Sequence, residues 1–286
     1  MTRDPRDTVL VDAEGLAAAL AGDEPPVLLD VRWALGQTDG HEQYLAGHVP
    51  GAVFVDLDTE LAGPASPQDG RHPLPDLARL EADARRWGVS AERTVVAYDA
   101  VGGTSAARVW WLLRWAGLTD VRLLDGGLAA WTAAGFPLEA GSVTPEPGDV
   151  VLVPGSLPTI DADEAAAWTG SLLDARAAER YRGEVEPVDP RAGHIPGALS
   201  VPTAGNLGAD GTFLPDERLR ERFAGLVGPV AVYCGSGVTA AHEVAALASI
   251  GVEAALYPGS WSQWSNDPAR PAETGEAATP SGIAAS

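Results

Sequence analysis

The stretch VAVYCGSGVTAAH, residues 230–242, holds Cys234, the only cysteine among 286 residues. An apolar run, two glycines around a serine, and then helix-forming residues predict a strand, a tight loop and a helix. A thiol in that loop would face the free backbone amides of the helix start, whose partial positive charge favours the thiolate. The stretch therefore predicts a cysteine nucleophile. The alternative is a buried cysteine that packs as a small hydrophobic side chain.

The chain also contains an internal repeat. Four blocks of the first half recur in the same order in the second half: LLDVR (28–32) as LLDAR (172–176), GHVPGAVFV (47–55) as GHIPGALSV (193–201), VVAYD (95–99) as VAVYC (230–234), and DGGLAAW (125–131) as PGSWSQW (258–264). Four ordered matches predict two homologous domains.

Short β-rich runs alternate with helical segments in both halves, which is typical of α/β domains. We expect each domain to have a mainly parallel sheet with helices on both faces. The predicted organisation is an N-terminal domain (8–140), a Pro- and Gly-rich linker (141–158), a C-terminal catalytic domain (159–268) and a disordered tail (269–286). Asp99 and Cys234 fall at carboxyl ends of strands, where ligand crevices of such sheets lie.

Composition excludes several classes of protein. The formal net charge of −21 argues against nucleic acid and anionic membranes as partners. All 19 basic residues are arginine, so lysine chemistry is excluded. One cysteine allows no intramolecular disulfide, and the five histidines lack metal-ligand spacing, so we expect no metal and no cofactor. The sequence shows neither a secretory signal nor a membrane-spanning run, which predicts a soluble cytoplasmic protein.

The repeat, the paired D-x-R and GH-x-PGA blocks and the CGSGVTA loop resemble the tandem-domain rhodanese superfamily of sulfurtransferases. The resemblance covers about residues 8–268. It implies that Cys234 in the C-terminal domain is catalytic, whereas the N-terminal domain, with Asp99 at the matching position, has no nucleophile. The loop is similar to that of the 3-mercaptopyruvate sulfurtransferases in particular, because thiosulfate-preferring rhodaneses carry basic residues there.

This resemblance implies a two-step sulfur transfer. Cys234 takes sulfur from a small-molecule donor as a persulfide, and a small thiol or a thioredoxin-like protein then accepts it. The backbone of the loop, at Gly235, Gly237, Val238 and Thr239, would surround the sulfur and stabilise its negative charge.

Arginines in the segment 172–198 are candidates for binding the donor anion. The resemblance assigns this role to Arg180; a surface arginine on a helix is the alternative. Arg176 repeats as Arg32 in the other half, which favours a structural role in a buried ion pair. A second anion-binding arginine is expected downstream, but Val188 occupies that position, and Arg191 is a candidate to replace it.

The resemblance further implies a serine that acts with an aspartate and a histidine of the N-terminal domain, which would be Ser236, Asp58 and His72. His72 could relay a proton, or it could be an ordinary loop histidine. His48 and His194 occur in both GH-x-PGA blocks and are predicted to be structural. For His242, packing is preferred over tuning of the thiolate.

Other functions remain as alternatives. A cysteine phosphatase needs an arginine six residues after the cysteine, where this chain has Ala240. A thiosulfate donor, and a non-catalytic rhodanese-like binding module, both stay open.

Overall fold

The computed structural model describes residues 4–276, which form two compact units. Within the described residues, unit 1 comprises 4–63, Pro75–Leu157 and Gly208–Phe213, and unit 2 comprises Pro64–Leu74, Pro158–Leu207 and 214–276. Among residues 4–276, none of the helices combines the length and the hydropathy that a membrane span requires.

The sheet of unit 1 is parallel at every pairing between the described strands. Its strands are β1 (Leu10–Val11), β2 (Val27–Asp30), β3 (Val53–Phe54), β4 (Val95–Tyr98) and β5 (Val121–Leu124). They lie in the order β1-β5-β4-β2-β3. β2 and β4 are buried along their whole length, which explains why both are mostly apolar rather than alternating.

Helices cover the sheet of unit 1. They are α1 (Pro5–Val9), α2 (Ala13–Leu20), α3 (Gly40–Ala46), α4 (Leu57–Glu60), α5 (Leu77–Arg86), α6 (Ala106–Trp115) and α7 (Gly127–Ala133). Val96 and Tyr98 of β4 share an apolar cluster with Leu16 of α2 and Trp131 of α7. The buried helix α6 packs against β4 and β5.

Unit 2 repeats this architecture. Its described strands are β6 (Ser171–Asp174), β7 (Leu199–Ser200), β8 (Val230–Tyr233) and β9 (Ala254–Leu256), all paired in parallel in the order β7-β6-β8-β9. Its helices are α8 (Ala162–Ala166), α9 (Ala178–Tyr181), a 3₁₀ helix (Thr203–Asn206), α10 (Asp216–Arg222), α11 (Thr239–Ser249) and α12 (Ser260–Trp264). The strand order matches that of β3-β2-β4-β5, so the prediction of two homologous α/β domains with parallel sheets is confirmed.

Two short segments cross between the halves of the chain, so that each belongs to the unit formed mainly by the other half. Pro64–Leu74 comes from the first half but is part of unit 2, and Gly208–Phe213 comes from the second half but is part of unit 1. The first segment contains His72, which the sequence placed in the N-terminal domain.

The predicted linker and tail both make backbone hydrogen bonds. In the linker, the N–H groups of Val150 and Val153 donate to carbonyls of unit 1. In the predicted tail, Glu273 pairs with His194 in an antiparallel bridge. The rest of that tail, 277–286, lies outside the described residues.

Candidate active site

The repeated D-x-R motif forms a buried ion pair in each unit. In unit 2, Asp174 Oδ2 lies 2.6 Å from Arg176 Nη2, which also donates to the carbonyl of Gly193 at 2.6 Å. Asp30 and Arg32 form the matching pair at the end of β2, at 2.9 Å. Each pair joins a strand end to the GH-x-PGA motif that follows. The predicted structural role of Arg176 is confirmed.

The histidines of the two GH-x-PGA motifs have the same surroundings in both units. Nδ1 of His48 lies 2.9 Å from the carbonyl of Tyr44, and Nδ1 of His194 lies 2.8 Å from that of Tyr181. Each ring stacks on the tyrosine ring. Both histidines are buried, and the predicted structural role is confirmed.

Cys234 directly follows β8, and the loop from Gly235 to Val238 leads into α11. The cysteine is 2% exposed. The N–H of Gly237 points to Sγ of Cys234 at 3.1 Å, and Gly237 has a φ of 78°, a conformation that L side chains rarely adopt. An amide donor at this distance stabilises a thiolate more than a thiol.

Gly235, the next residue, has two arginine side chains close to its backbone. A Cβ atom at this position would lie 2.9 Å from Nη2 of Arg71 and 3.4 Å from Nη1 of Arg180. Two guanidinium groups therefore approach the backbone of the residue next to the nucleophile. Arginine at such a position can bind the oxygens of a small anion.

Asp189 bonds both of these arginines. Its Oδ1 atom pairs with Nη1 of Arg71, and its Oδ2 atom accepts from Nη2 of Arg180 at 3.2 Å. Arg180 also donates to Glu186 at 2.7 Å. Burial raises the pKa of Asp189, and the Arg71 guanidinium opposes that rise. Arg71 was not predicted from the sequence, because it lies about 100 residues before the arginine-rich segment 172–198.

Ser236 and His72 form a hydrogen-bonded pair. His72 Nδ1 lies 2.7 Å from Ser236 Oγ, and both side chains are buried. The chain around His72 is fixed to unit 2, since the N–H of Arg71 donates to Ser262 Oγ at 3.0 Å. A Cβ atom at Gly70 would lie 2.7 Å from the Gly259 carbonyl, so only glycine permits this close approach.

Arg191 has different partners from those that the sequence indicated. Its guanidinium donates to four backbone carbonyls at 2.7–2.9 Å, those of Trp264, Ser265, Asp267 and Arg270. Carbonyl acceptors occupy all three of its nitrogens. This guanidinium therefore fastens the end of α12 and the chain that follows it, and substrate binding by Arg191 stays a prediction.

Asp58 lies in unit 1, within α4. It accepts a hydrogen bond from the indole N–H of Trp33 at 3.0 Å. Its part in catalysis stays a prediction.

A buried polar cluster supports the inner side of α11. His242 Nδ1 lies 2.7 Å from Thr203 Oγ1, and Asn206 Nδ2 donates to Glu243 Oε2 at 2.6 Å. Both α11 residues are fully buried. Burial raises the pKa of Glu243 to about 7, against the nearby charge of Arg222. Packing of His242, the preferred prediction, agrees with this burial.

In unit 1 the corresponding loop is filled by its own carboxylate. Asp99 is fully buried and accepts four backbone N–H groups at 2.8–2.9 Å, those of Val101, Gly103, Ser105 and Ala106. The matching loops thus differ: in unit 2 the N–H of Gly237 points to the cysteine sulfur, and in unit 1 four N–H groups bond the side chain of Asp99. Residues 4–276 contain no group of three or more His, Cys, Asp or Glu arranged to hold a metal ion.

Known proteins match both halves of the chain. The family described as "Rhodanese-like domain" matches residues 12–134 and 160–267. The chain is 50% identical to the Mycobacterium tuberculosis protein named "Putative thiosulfate sulfurtransferase SseB", over 95% of this chain and 99% of that protein. It is 48% identical to the Pseudomonas aeruginosa protein named "Probable 3-mercaptopyruvate sulfurtransferase", over 93% of this chain and 98% of that one.

Among solved structures, the fold is similar to that of SseA from Escherichia coli, a protein described as having the rhodanese fold of the 3-mercaptopyruvate sulfotransferases. The TM-score is 0.78 at 36% identity, over 89% of this chain and 99% of that chain. With both repeats matched and relatives of this identity covering almost the whole chain, the protein belongs to the rhodanese-like family of sulfurtransferases, with two copies of the domain.

Proposed function

We propose that this protein moves a sulfur atom from 3-mercaptopyruvate to a thiol or other nucleophilic acceptor through a persulfide on Cys234. The observation that carries the proposal is the composition of the Cys234 loop. One amide points at Sγ, and a guanidinium group of Arg180 lies over the adjacent Gly235. A nucleophilic sulfur beside an anion-binding group suits a small, anionic sulfur donor.

The first half-reaction forms the persulfide. The Cys234 thiolate attacks the donor sulfur, an S–S bond forms, and the C–S bond breaks. Its electron pair leaves with the three-carbon fragment as the enolate of pyruvate, which takes up one proton. Arg180 holds the donor carboxylate, and the loop amides from Gly235 to Thr239 stabilise charge on both sulfurs.

Ser236 and His72 are placed to move the proton. Because Ser236 Oγ and His72 Nδ1 are 2.7 Å apart, the serine hydroxyl can pass a proton between the donor thiol and the imidazole. The proton from the donor thiol then balances the one that the enolate takes up. Asp58 is retained in this proposal as the aspartate that the family resemblance implies beside Ser236 and His72.

The second half-reaction regenerates the free thiolate of Cys234. An acceptor thiolate attacks the outer sulfur, the S–S bond of the persulfide breaks, and Cys234 leaves as thiolate. A small thiol or a thioredoxin-like protein fits this step, because both supply an accessible thiolate. The reaction needs a reduced cysteine, which a cytoplasmic location provides.

Thiosulfate is the second candidate donor. It would yield the same persulfide, with sulfite leaving in place of the pyruvate enolate. The loop GSGVT has no charged side chain, and Glu186 and Asp189 neutralise charge on the arginines beside it. This balance favours the singly charged carboxylate of 3-mercaptopyruvate over the dianion thiosulfate. The names of the relatives include both activities.

Intact-mass measurement after incubation with each donor tests the proposal. We expect the wild type to gain the mass of one sulfur atom and Cys234→Ser to gain none. In steady-state kinetics with a common acceptor, kcat/KM should be higher for 3-mercaptopyruvate than for thiosulfate. Arg180→Ala should lose roughly 10-fold or more in kcat/KM, since a hydrogen bond to a charged group contributes about 1.5–3 kcal/mol. Sulfur transfer by Cys234→Ser would refute the mechanism, and a preference for thiosulfate would refute the donor assignment. A wild type without persulfide under either donor would favour the non-catalytic binding module.

A further inference from the structure

We propose that Arg71 is a second substrate-binding residue, which holds the anionic group of the sulfur donor together with Arg180. This inference deepens the proposed function and rests on it. Arg71 lies in the segment Pro64–Leu74, outside the motifs from which the sequence predicted the anion site.

Arg71 lies beside Arg180 and close to the residue that follows the nucleophile. Its Nη2 atom and Nη1 of Arg180 approach the same side of Gly235, at 2.9 Å and 3.4 Å from the site of a Cβ atom. Gly235 is the residue after Cys234. An anion that brings its sulfur to Cys234 therefore meets both guanidinium groups.

Both arginines are held in place before a donor binds. Asp189, with its side chain 3% exposed, uses one oxygen for Arg71 and the other for Arg180. The backbone of Arg71 is fixed by its N–H bond to Ser262 Oγ. A guanidinium group that is oriented before binding loses less entropy when an anion binds.

Both arginines also have N–H donors that no group in the described part of the chain uses. Within residues 4–276, Nε and Nη2 of Arg71 and Nη1 of Arg180 have no hydrogen-bond partner, and the Nε atom is buried. Buried donors in native proteins almost always have a partner. One unused Nη group on each arginine matches the two oxygens of a carboxylate, or two oxygens of a sulfonate group.

The arginines around the proposed donor site are balanced by carboxylates. Arg71, Arg176 and Arg180 are matched by Asp174, Glu186 and Asp189, so the cluster has no net positive charge. Affinity then depends on directed hydrogen bonds from the two forks rather than on long-range attraction. Lysine, which lacks the fork, should replace Arg71 only in part.

Single-turnover formation of the Cys234 persulfide tests the inference, with 3-mercaptopyruvate and thiosulfate in separate arms. Arg71→Ala should raise the half-saturating donor concentration roughly 10-fold or more, and Arg71→Lys should raise it less. Transfer from the isolated persulfide to dithiothreitol should change less than about twofold, because that step does not use the donor anion. A weaker response to 3-mercaptopyruvate identifies the anionic group that Arg71 binds as a carboxylate, and a weaker response to thiosulfate identifies it as a sulfonate group. Arg218→Ala removes the same charge from an arginine of α10 whose side chain is 69% exposed, and should change nothing.

A double variant separates binding from charge neutralisation. If Arg71 only neutralises Asp189, Arg71→Ala combined with Asp189→Asn should have the same donor concentration dependence as Asp189→Asn alone, which would overturn the inference. If Arg71 binds the donor, the double variant needs more donor than Asp189→Asn alone. Thermal melts of every variant show that it is folded.

Pyruvate binding, followed by calorimetry, keeps the two proposals distinguishable, because pyruvate has the carboxylate but no transferable sulfur. Weaker pyruvate binding by Arg71→Ala, in a protein that forms no persulfide, supports the Arg71 site and refutes the sulfur transfer. Unchanged pyruvate and donor binding, in a protein whose wild type forms the persulfide, overturns the Arg71 inference alone.

Discussion

Removing the Asp99 carboxylate should destabilise unit 1 far more than removing an ordinary helix cap. The carboxylate satisfies four backbone amides at the start of the segment that leads into α6. In Asp99→Ala, these amides lose their acceptor in a place where the replaced side chain was fully buried.

The size of the expected loss in stability follows from those four hydrogen bonds. A buried donor without a partner costs about 1–3 kcal/mol, and a water molecule that enters the vacated space can accept from some of the four. We therefore expect a loss of about 3–5 kcal/mol in the free energy of unfolding of unit 1. For a unit of this size, the melting temperature should fall on the order of 10 °C.

Differential scanning calorimetry measures the loss, and hydrogen exchange of the four amides shows where it occurs. Asp76→Ala is the matched control, because Asp76 is the exposed N-cap of α5 and accepts one bond, from the N–H of Arg79. That variant should lose only about 1 kcal/mol. If Asp99→Ala were no less stable than Asp76→Ala, or if its four amides kept their protection, the carboxylate would not be what holds the loop.

Two further variants test unit 2. Glu243 has a pKa of about 7 in the folded protein, above its value of 4.5 when exposed, so its protonated form favours folding. This contribution to stability is complete below about pH 4.5 and is lost as the pH rises through 7. The free energy of unfolding, measured with urea at a series of pH values, should therefore decrease by up to about 3 kcal/mol over this range in the wild type but not in Glu243→Gln. An identical pH dependence of the two proteins would contradict this. Gly237→Ala should lose about 1–2 kcal/mol from its positive φ. It should also slow persulfide formation, because relief of that strain moves the N–H that donates to Cys234. Gly197→Ala has the same φ with open space around it and should lose similar stability without the kinetic effect; equal persulfide rates in the two variants would contradict the role of the Gly237 amide.

The architecture and the nucleophile could be predicted from the sequence because both depend on local patterns. Buried parallel strands such as β4 and β8 are recognisable as short apolar runs, and the repeated D-x-R and GH-x-PGA motifs show that one fold occurs twice. Cys234 stands out because a cysteine that only packs in a core does not require the glycines that follow it. These features need no knowledge of which distant segments meet.

Only the tertiary structure decided the partners of the charged side chains. Arg71 and Asp189 are 118 residues apart, and His72 and Ser236 are 164 apart, so no local pattern joins them. Arg191 was a candidate anion-binding residue in the sequence, and the structure shows its guanidinium donating to four backbone carbonyls at the end of α12 and in the chain after it. A guanidinium group bonds whichever acceptors lie within about 3 Å, and which acceptors those are depends on how the folded chain brings Pro64–Leu74 and the rest of unit 2 together.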